Sequence, residues 1–134
     1  MSQIVLLDTH IWFWWITKEF ERFPSAWLDV IESADRVAVS PVSCYEIALS
    51  NQLGRLSLPC DSEAWLQDAL APSGIEILPI SASIAARAVK LSPIHKDPFD
   101  RIIIASAIEH QAQLASVDSL FPRYPELESS LLQS

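Results

Sequence analysis

Ile4-Val5-Leu6-Leu7-Asp8-Thr9 is a short, unbroken apolar run that stops on a carboxylate. A half-exposed strand would alternate apolar and polar residues. A run without alternation suits a central parallel strand covered on both faces. Working outward from it, residues 11–16 begin a helical stretch carrying Trp12, Trp14 and Trp15, and Pro24 or Ser25 opens a second helix over 26–34. Residues 36–39 read as a second strand. Ser40-Pro41 then starts a helix to about Leu53, with Gly54 as its C-cap. Asp61 caps a helix over 62–70, residues 75–80 form a third strand, and residues 82–91 a further helix. Asp97-Pro98 pairs a capping carboxylate with proline at the first helical position and opens a helix to about His110. Residues 113–117 make a fourth strand with Asp118 at its end, and the tail from Pro122 is expected to be irregular and docked. Strands alternating with helices predict a three-layer α/β/α sandwich around a mostly parallel sheet of four to five strands.

Composition bounds the function. The chain has 134 residues, enough for one domain over 1–134 with a core that needs no staples. Half of the residues are hydrophobic and 19% are charged, which excludes extended disorder. Cys44 and Cys60 are too few for a disulfide framework, and no Cys/His cluster has zinc spacing, so a reduced, cytoplasmic setting is expected. No basic region precedes the first apolar run, which argues against a signal peptide, and no run is long enough to span a bilayer. With two glycines in all, a phosphate-binding Gly-rich loop is out of reach. A net charge of −8 argues against a protein that coats nucleic acid, but an acidic metal site in a nuclease would contribute the same sign. It also suits a basic protein partner.

The informative residues are acids. Asp8 and Asp118 fall at carboxyl ends of expected strands, Asp100 in the first turn of a helix facing that edge, and Glu46 early in the helix after the second strand. Each has an ordinary explanation as a helix cap, as a partner of the helix dipole, or, for Ser43 and Glu46, as a capping box. In an open parallel sheet, however, ligands sit at the carboxyl ends of the strands. Four carboxylates gathered there repel one another unless a cation compensates them. An all-oxygen donor set points to Mg2+ or Mn2+ ahead of Zn2+, and such an ion suits phosphodiester hydrolysis. His10, His95 and His110 read as solvated or structural.

The segments Leu6-Leu7-Asp8-Thr9-His10-Ile11-Trp12, Ser40-Pro41-Val42-Ser43-Cys44-Tyr45-Glu46 and His95-Lys96-Asp97-Pro98-Phe99-Asp100-Arg101-Ile102 together resemble the VapC-type toxins of the PIN-domain family. The resemblance continues through Leu114-Ala115-Ser116-Val117-Asp118 and covers residues 3 to 127 in order. It implies a PIN-like fold and a Mg2+- or Mn2+-dependent endoribonuclease that hydrolyses RNA with a Mg2+-activated water. It also implies the toxin half of a toxin–antitoxin pair, a homodimer neutralised by a VapB-type antitoxin. The family's acidic quartet falls on Asp8, Glu46, Asp100 and Asp118 as metal-holding, catalytic residues. Asp97 is an auxiliary acid or simply a cap. Ser50 stands where relatives often carry a lysine, and Cys44 where they often carry a bulky residue. The competing reading is a catalytically silent, metal-binding module acting only through its antitoxin.

Secondary candidates for substrate contact are Thr9, Arg101 and Ser116. Thr9 also reads as a helix-start residue, Arg101 as an i,i+4 partner of Asp97, and Ser116 as holding a metal-bound water. Three tryptophans in four positions must place at least one off the core face, toward a dimer or antitoxin surface.

Overall fold

The computed structural model describes residues 3–133. Its four strands, β1 (Ile4–Leu7), β2 (Arg36–Val39), β3 (Ile75–Ile77) and β4 (Gln113–Ala115), form one sheet in the order β3-β2-β1-β4, with every pairing parallel. The chain winds outward from β1 through β2 to β3, then returns to lay β4 on the other side of β1. The order therefore reverses between β1 and β4, and a crevice opens outside their carboxyl ends.

Six α-helices cover the sheet among the described residues: α1 (Thr9–Ile16), α2 (Ala26–Ser33), α3 (Pro41–Gln52), α4 (Ser62–Asp68), α5 (Ala82–Lys90) and α6 (Pro98–Glu109). All four β1 residues are buried, as the unbroken apolar run requires. Ile4 and Leu6 face one core with Ile84 and Ala88 of α5, Ile103 and Ile104 of α6, and Phe121 and Tyr124 of the tail. Val5 and Leu7 face the other, with Ile11 and Trp12 of α1, Trp27 and Ile31 of α2, and Trp65 of α4. None of these helices is long and apolar enough to cross a membrane.

Starts of elements follow local chemistry closely. Asp8, Ser40, Asp61, Ser81 and Asp97 each accept a backbone N–H from the first turn of the helix behind them. Gly54, at φ +74°, takes the left-handed conformation just past α3 that a side chain would resist. Ends follow it less well. The third strand stops at Ile77 rather than residue 80, because Pro79 has no N–H to continue the ladder. The fourth stops at Ala115 rather than residue 117, where the chain turns to present Ser116 and Asp118. The helix α3 starts under Ser40 as expected, so the alternative capping box of Ser43 with Glu46 is not formed, and Glu46 lies past the first turn, released from any capping duty.

The tail docks as expected. Leu114 N–H donates to Ser130 O and Leu132 N–H to Leu114 O, so the tail covers the open edge of β4. The Trp27 indole N–H reaches Gln133 O at 2.8 Å. Trp12 is fully buried and its indole N–H donates to Ala69 O at 3.0 Å, tying α1 to the end of α4, while Trp14 and Trp15 are only half-buried. Replacing Trp12 with Phe would leave the Ala69 carbonyl unpaired and a void beside Trp65. Trp12→Phe is expected to cost about 2–4 kcal/mol of unfolding free energy, measured by urea titration; a loss within error would show that the crevice side of the core is not held this way.

Candidate active site

At the β1/β4 crevice the chain builds a pocket of about 460 Å3 lined by Asp8, Thr9, His10, Glu46, Asp97, Asp100, Val117, Asp118 and Ser119. All four anticipated quartet acids and Asp97 are in its wall, and no lysine or arginine lines it.

Asp8 is the most buried of them, at 8% exposure. Its Oδ1 accepts the Thr9 N–H at 2.8 Å and its Oδ2 the Ser116 hydroxyl at 2.7 Å. The first is the local cap of α1; the second forms because β4 lies directly against β1, where Asp8 N–H donates to Ala115 O. Ser116 Oγ in turn accepts the Asp118 N–H at 3.1 Å. One hydroxyl thus orients two acids of the pair. Asp118 Oδ1 accepts the Leu120 N–H, which leaves Oδ2 free to face inward. Glu46 reaches the pocket from α3, and its Oε1 accepts the Thr9 hydroxyl at 2.7 Å, with Ser43 Oγ beside that hydroxyl at 2.8 Å. Thr9 and Ser116 therefore act on the acids themselves. Asp97 Oδ1 accepts the Phe99 N–H, so the capping role is real although its side chain also lines the pocket.

Arg101 is turned away from this wall. Its guanidinium donates to the carbonyls of Leu91 (2.8 Å), Ser92 (2.9 Å), His95 (3.2 Å) and Val89 (3.3 Å). Neither the Asp97 ion pair nor a free phosphate-facing head is seen. The four carbonyls at the end of α5 and in the following loop have no intrahelical partners and need donors, and the planar five-donor guanidinium supplies them.

His95 is the residue that the sequence reading missed. Its Nε2 lies 3.1 Å from Asp100 Oδ2 and 3.1 Å from Asp118 Oδ2. Its backbone N–H donates to the Tyr124 hydroxyl at 2.7 Å, and its ring stands edge-on to Phe121. The only local signal was its place two residues ahead of the Asp97 cap.

Electrostatics agree with the crowding. Burial, offset in part by the Ser116 and Thr9 hydrogen bonds, holds the Asp8 carboxyl above the ordinary carboxylate range. Burial raises Glu46 as well, with Asp8 and Asp97 adding to it. Asp100 is pushed up to about 7, first by burial and then by Asp8, against the opposing pull of His95. Asp8, Glu46 and Asp100 are thus pushed toward their neutral forms, by burial first and by neighbouring acids second, and a divalent cation is the group whose charge relieves them at once. Oxygen donors from four elements fit a hard ion, and His95, Asp100 and Asp118 bring ligand atoms within 4.8 Å of one another.

A family model described as the PIN domain matches residues 5–127. Over 115 residues, 85% of this chain and 86% of the relative, the sequence is 38% identical to Ribonuclease VapC22 of Mycobacterium tuberculosis. Among solved structures, VapBC2 from Rickettsia felis bound to a promoter DNA fragment superposes with a TM-score of 0.67 at 21% identity, covering 92% of this chain and 95% of that one. A toxin–antitoxin complex from Klebsiella pneumoniae gives 0.58 at 19% identity, covering 96% of both chains. Fold, site and sequence identity converge: the chain belongs to the PIN-domain family, in its VapC type.

Proposed function

We propose that this chain, as a single PIN domain over residues 1–134, is the toxin of a VapBC-type pair and a Mg2+- or Mn2+-dependent endoribonuclease. The observation that carries the reading is the convergence of Asp8, Glu46, Asp100 and Asp118, from four separate elements, on one pocket lined by no lysine or arginine. The 38% identity to a VapC ribonuclease supports the choice of RNA as substrate. The four acids would hold one or two ions, directly or through water. Bound there, Mg2+ or Mn2+ supplies charge neutralisation at the phosphoryl oxygens and acidifies water enough for attack near neutral pH. The chain's own residues do the positioning. Ser116 locks Asp8 and Asp118 in one orientation, and Thr9 holds Glu46 toward the same space. A second groove of about 660 Å3 shares Val117, Asp118 and Ser119 with the acid pocket and continues past Arg123. That continuity supports a chain-like substrate passing the acids.

The partner surfaces follow the same reading. Tyr45, Leu49 and Leu53 are exposed at successive turns of α3, an apolar stripe that supports a homodimer or an antitoxin contact. The antitoxin complexes among the similar folds and the net charge of −8 support a basic VapB-type partner in a cytoplasmic hetero-oligomer.

Asp8→Asn and Asp100→Asn are each expected to lower RNA cleavage by about a thousandfold or more, a loss of several kcal/mol of transition-state stabilisation, with far-UV circular dichroism unchanged. EDTA should abolish wild-type cleavage, and Mg2+ or Mn2+ should restore it. Cleavage that survives either substitution or the chelator would sink the mechanism and favour a silent binding module.

Asp100 also makes a pH prediction. Because its carboxyl titrates near 7 in the folded chain against 3.8 ordinarily, the folded state holds a proton that the unfolded state has released between those values. Its contribution to stability therefore falls as pH rises through that window. In metal-free buffer, the melting temperature of Asp100→Asn minus that of wild type should increase from pH 5 to pH 8, and added Mg2+ should reverse the ordering at pH 8. A difference that does not vary with pH would overturn the assignment.

A further inference from the structure

We propose that His95 is a nitrogen ligand of the cation site, so that Asp100, Asp118 and this imidazole form a mixed nitrogen–oxygen centre favouring first-row transition ions over Mg2+. The inference rests on the metal-dependent reading above and adds a residue and an ion preference to it.

The imidazole is delivered from outside the acid cluster. The loop between α5 and α6 carries His95, and three side chains fasten that loop. Arg101 donates to the carbonyls of Leu91, Ser92 and His95. Glu126 accepts both the N–H and the hydroxyl of Ser92. Tyr124, 1% exposed, accepts the His95 N–H through its hydroxyl. With its backbone pinned on both sides and its ring against Phe121, the imidazole has little freedom to point elsewhere. These contacts orient His95 whatever occupies the pocket.

Where it points is informative. Nε2 is equidistant, at 3.1 Å, from carboxylate oxygens on two different elements. A single N–H cannot be directed squarely at both, so as a hydrogen bond the arrangement is a compromise. As a coordination edge it is not. Neighbouring ligands around an octahedral ion with bonds of about 2.1 Å stand about 3.0 Å apart, close to the separations seen. The two oxygens and the nitrogen also lie within 4.8 Å of one another, so one ion can reach all three. A nitrogen donor in an otherwise carboxylate set shifts selectivity, because Mg2+ keeps to oxygen ligands and water whereas transition ions accept imidazole readily.

The test is pulsed electron paramagnetic resonance of the full-length protein loaded with Mn2+. Wild type should show nitrogen-14 modulation that disappears when its histidines are labelled with nitrogen-15, which requires no substitution and leaves the fold untouched. The modulation should be lost in His95→Gln and retained in His10→Gln, the histidine that lines the acid pocket. In calorimetry, the preference for Mn2+ over Mg2+ should fall about tenfold or more in His95→Gln. Bound Mn2+ without nitrogen-14 coupling, or coupling that survives His95→Gln, would overturn the assignment while leaving the carboxylate site standing. Failure of wild type to take up Mn2+ at all would remove the metal-dependent reading together with it.

Discussion

Asp8 at the carboxyl end of the central strand is the constraint on which the site depends. A carboxylate with 8% exposure cannot be left unpartnered, and both of its oxygens are satisfied: one by the N–H that starts α1, the other by the Ser116 hydroxyl at the end of β4. That second bond joins residues 108 apart in sequence. It exists only because β4 lies beside β1. Sheet order, the burial of Asp8 and the orientation of Asp118 are therefore one arrangement: the Ser116 hydroxyl donates a hydrogen bond to the first acid and accepts one from the backbone N–H of the last.

Around that pair the structure trades stability for charge density. Burial and mutual repulsion push Asp8, Glu46 and Asp100 upward, and no lysine or arginine in the pocket wall opposes this; only the hydrogen bonds to the acids and the nearby His10 and His95 pull the other way. An assembly of this kind persists because the surrounding scaffold is rigid. Trp12 and Trp65 fill one side of the sheet, and Ile103, Ile104 and Phe121 fill the other. The acids sit at the rims of elements whose bodies are fully packed, so their repulsion cannot be relieved by moving the backbone.

The loop ahead of α6 shows how local and distant terms divide. Asp97-Pro98 is a start signal that works within one turn, and it was readable from two letters. Arg101 in the same motif has, on spacing alone, the choice of a phosphate or of Asp97 as partner. It instead satisfies the carbonyls at the end of α5, because α5 and α6 lie side by side and that helix end needs donors. His95 follows from the same packing. Read alone it is a histidine before a helix; with Arg101 and Tyr124 in place it faces two acids. The alternative reading of Glu46 as part of a capping box with Ser43 is removed by local chemistry alone. Ser43 and Glu46 have the right spacing, but Ser40-Pro41 is the stronger start three residues earlier.

The sequence by itself determined which segments are strands and which are helices, where most helices begin, and that four acids lie at strand ends and early turns. Those features depend on hydrophobic period, capping chemistry and proline, all of which act over a few residues. It also carried the family motifs, and with them the expected quartet. Only the tertiary structure decided which oxygens are held, that Thr9 and Ser116 serve the acids, that Arg101 is engaged elsewhere, and that an imidazole joins the cluster. The physical reason is separation along the chain. Contacts such as Thr9 with Glu46, Asp8 with Ser116 and His95 with Tyr124 span from 29 to 108 residues, and they are set by sheet order and helix packing.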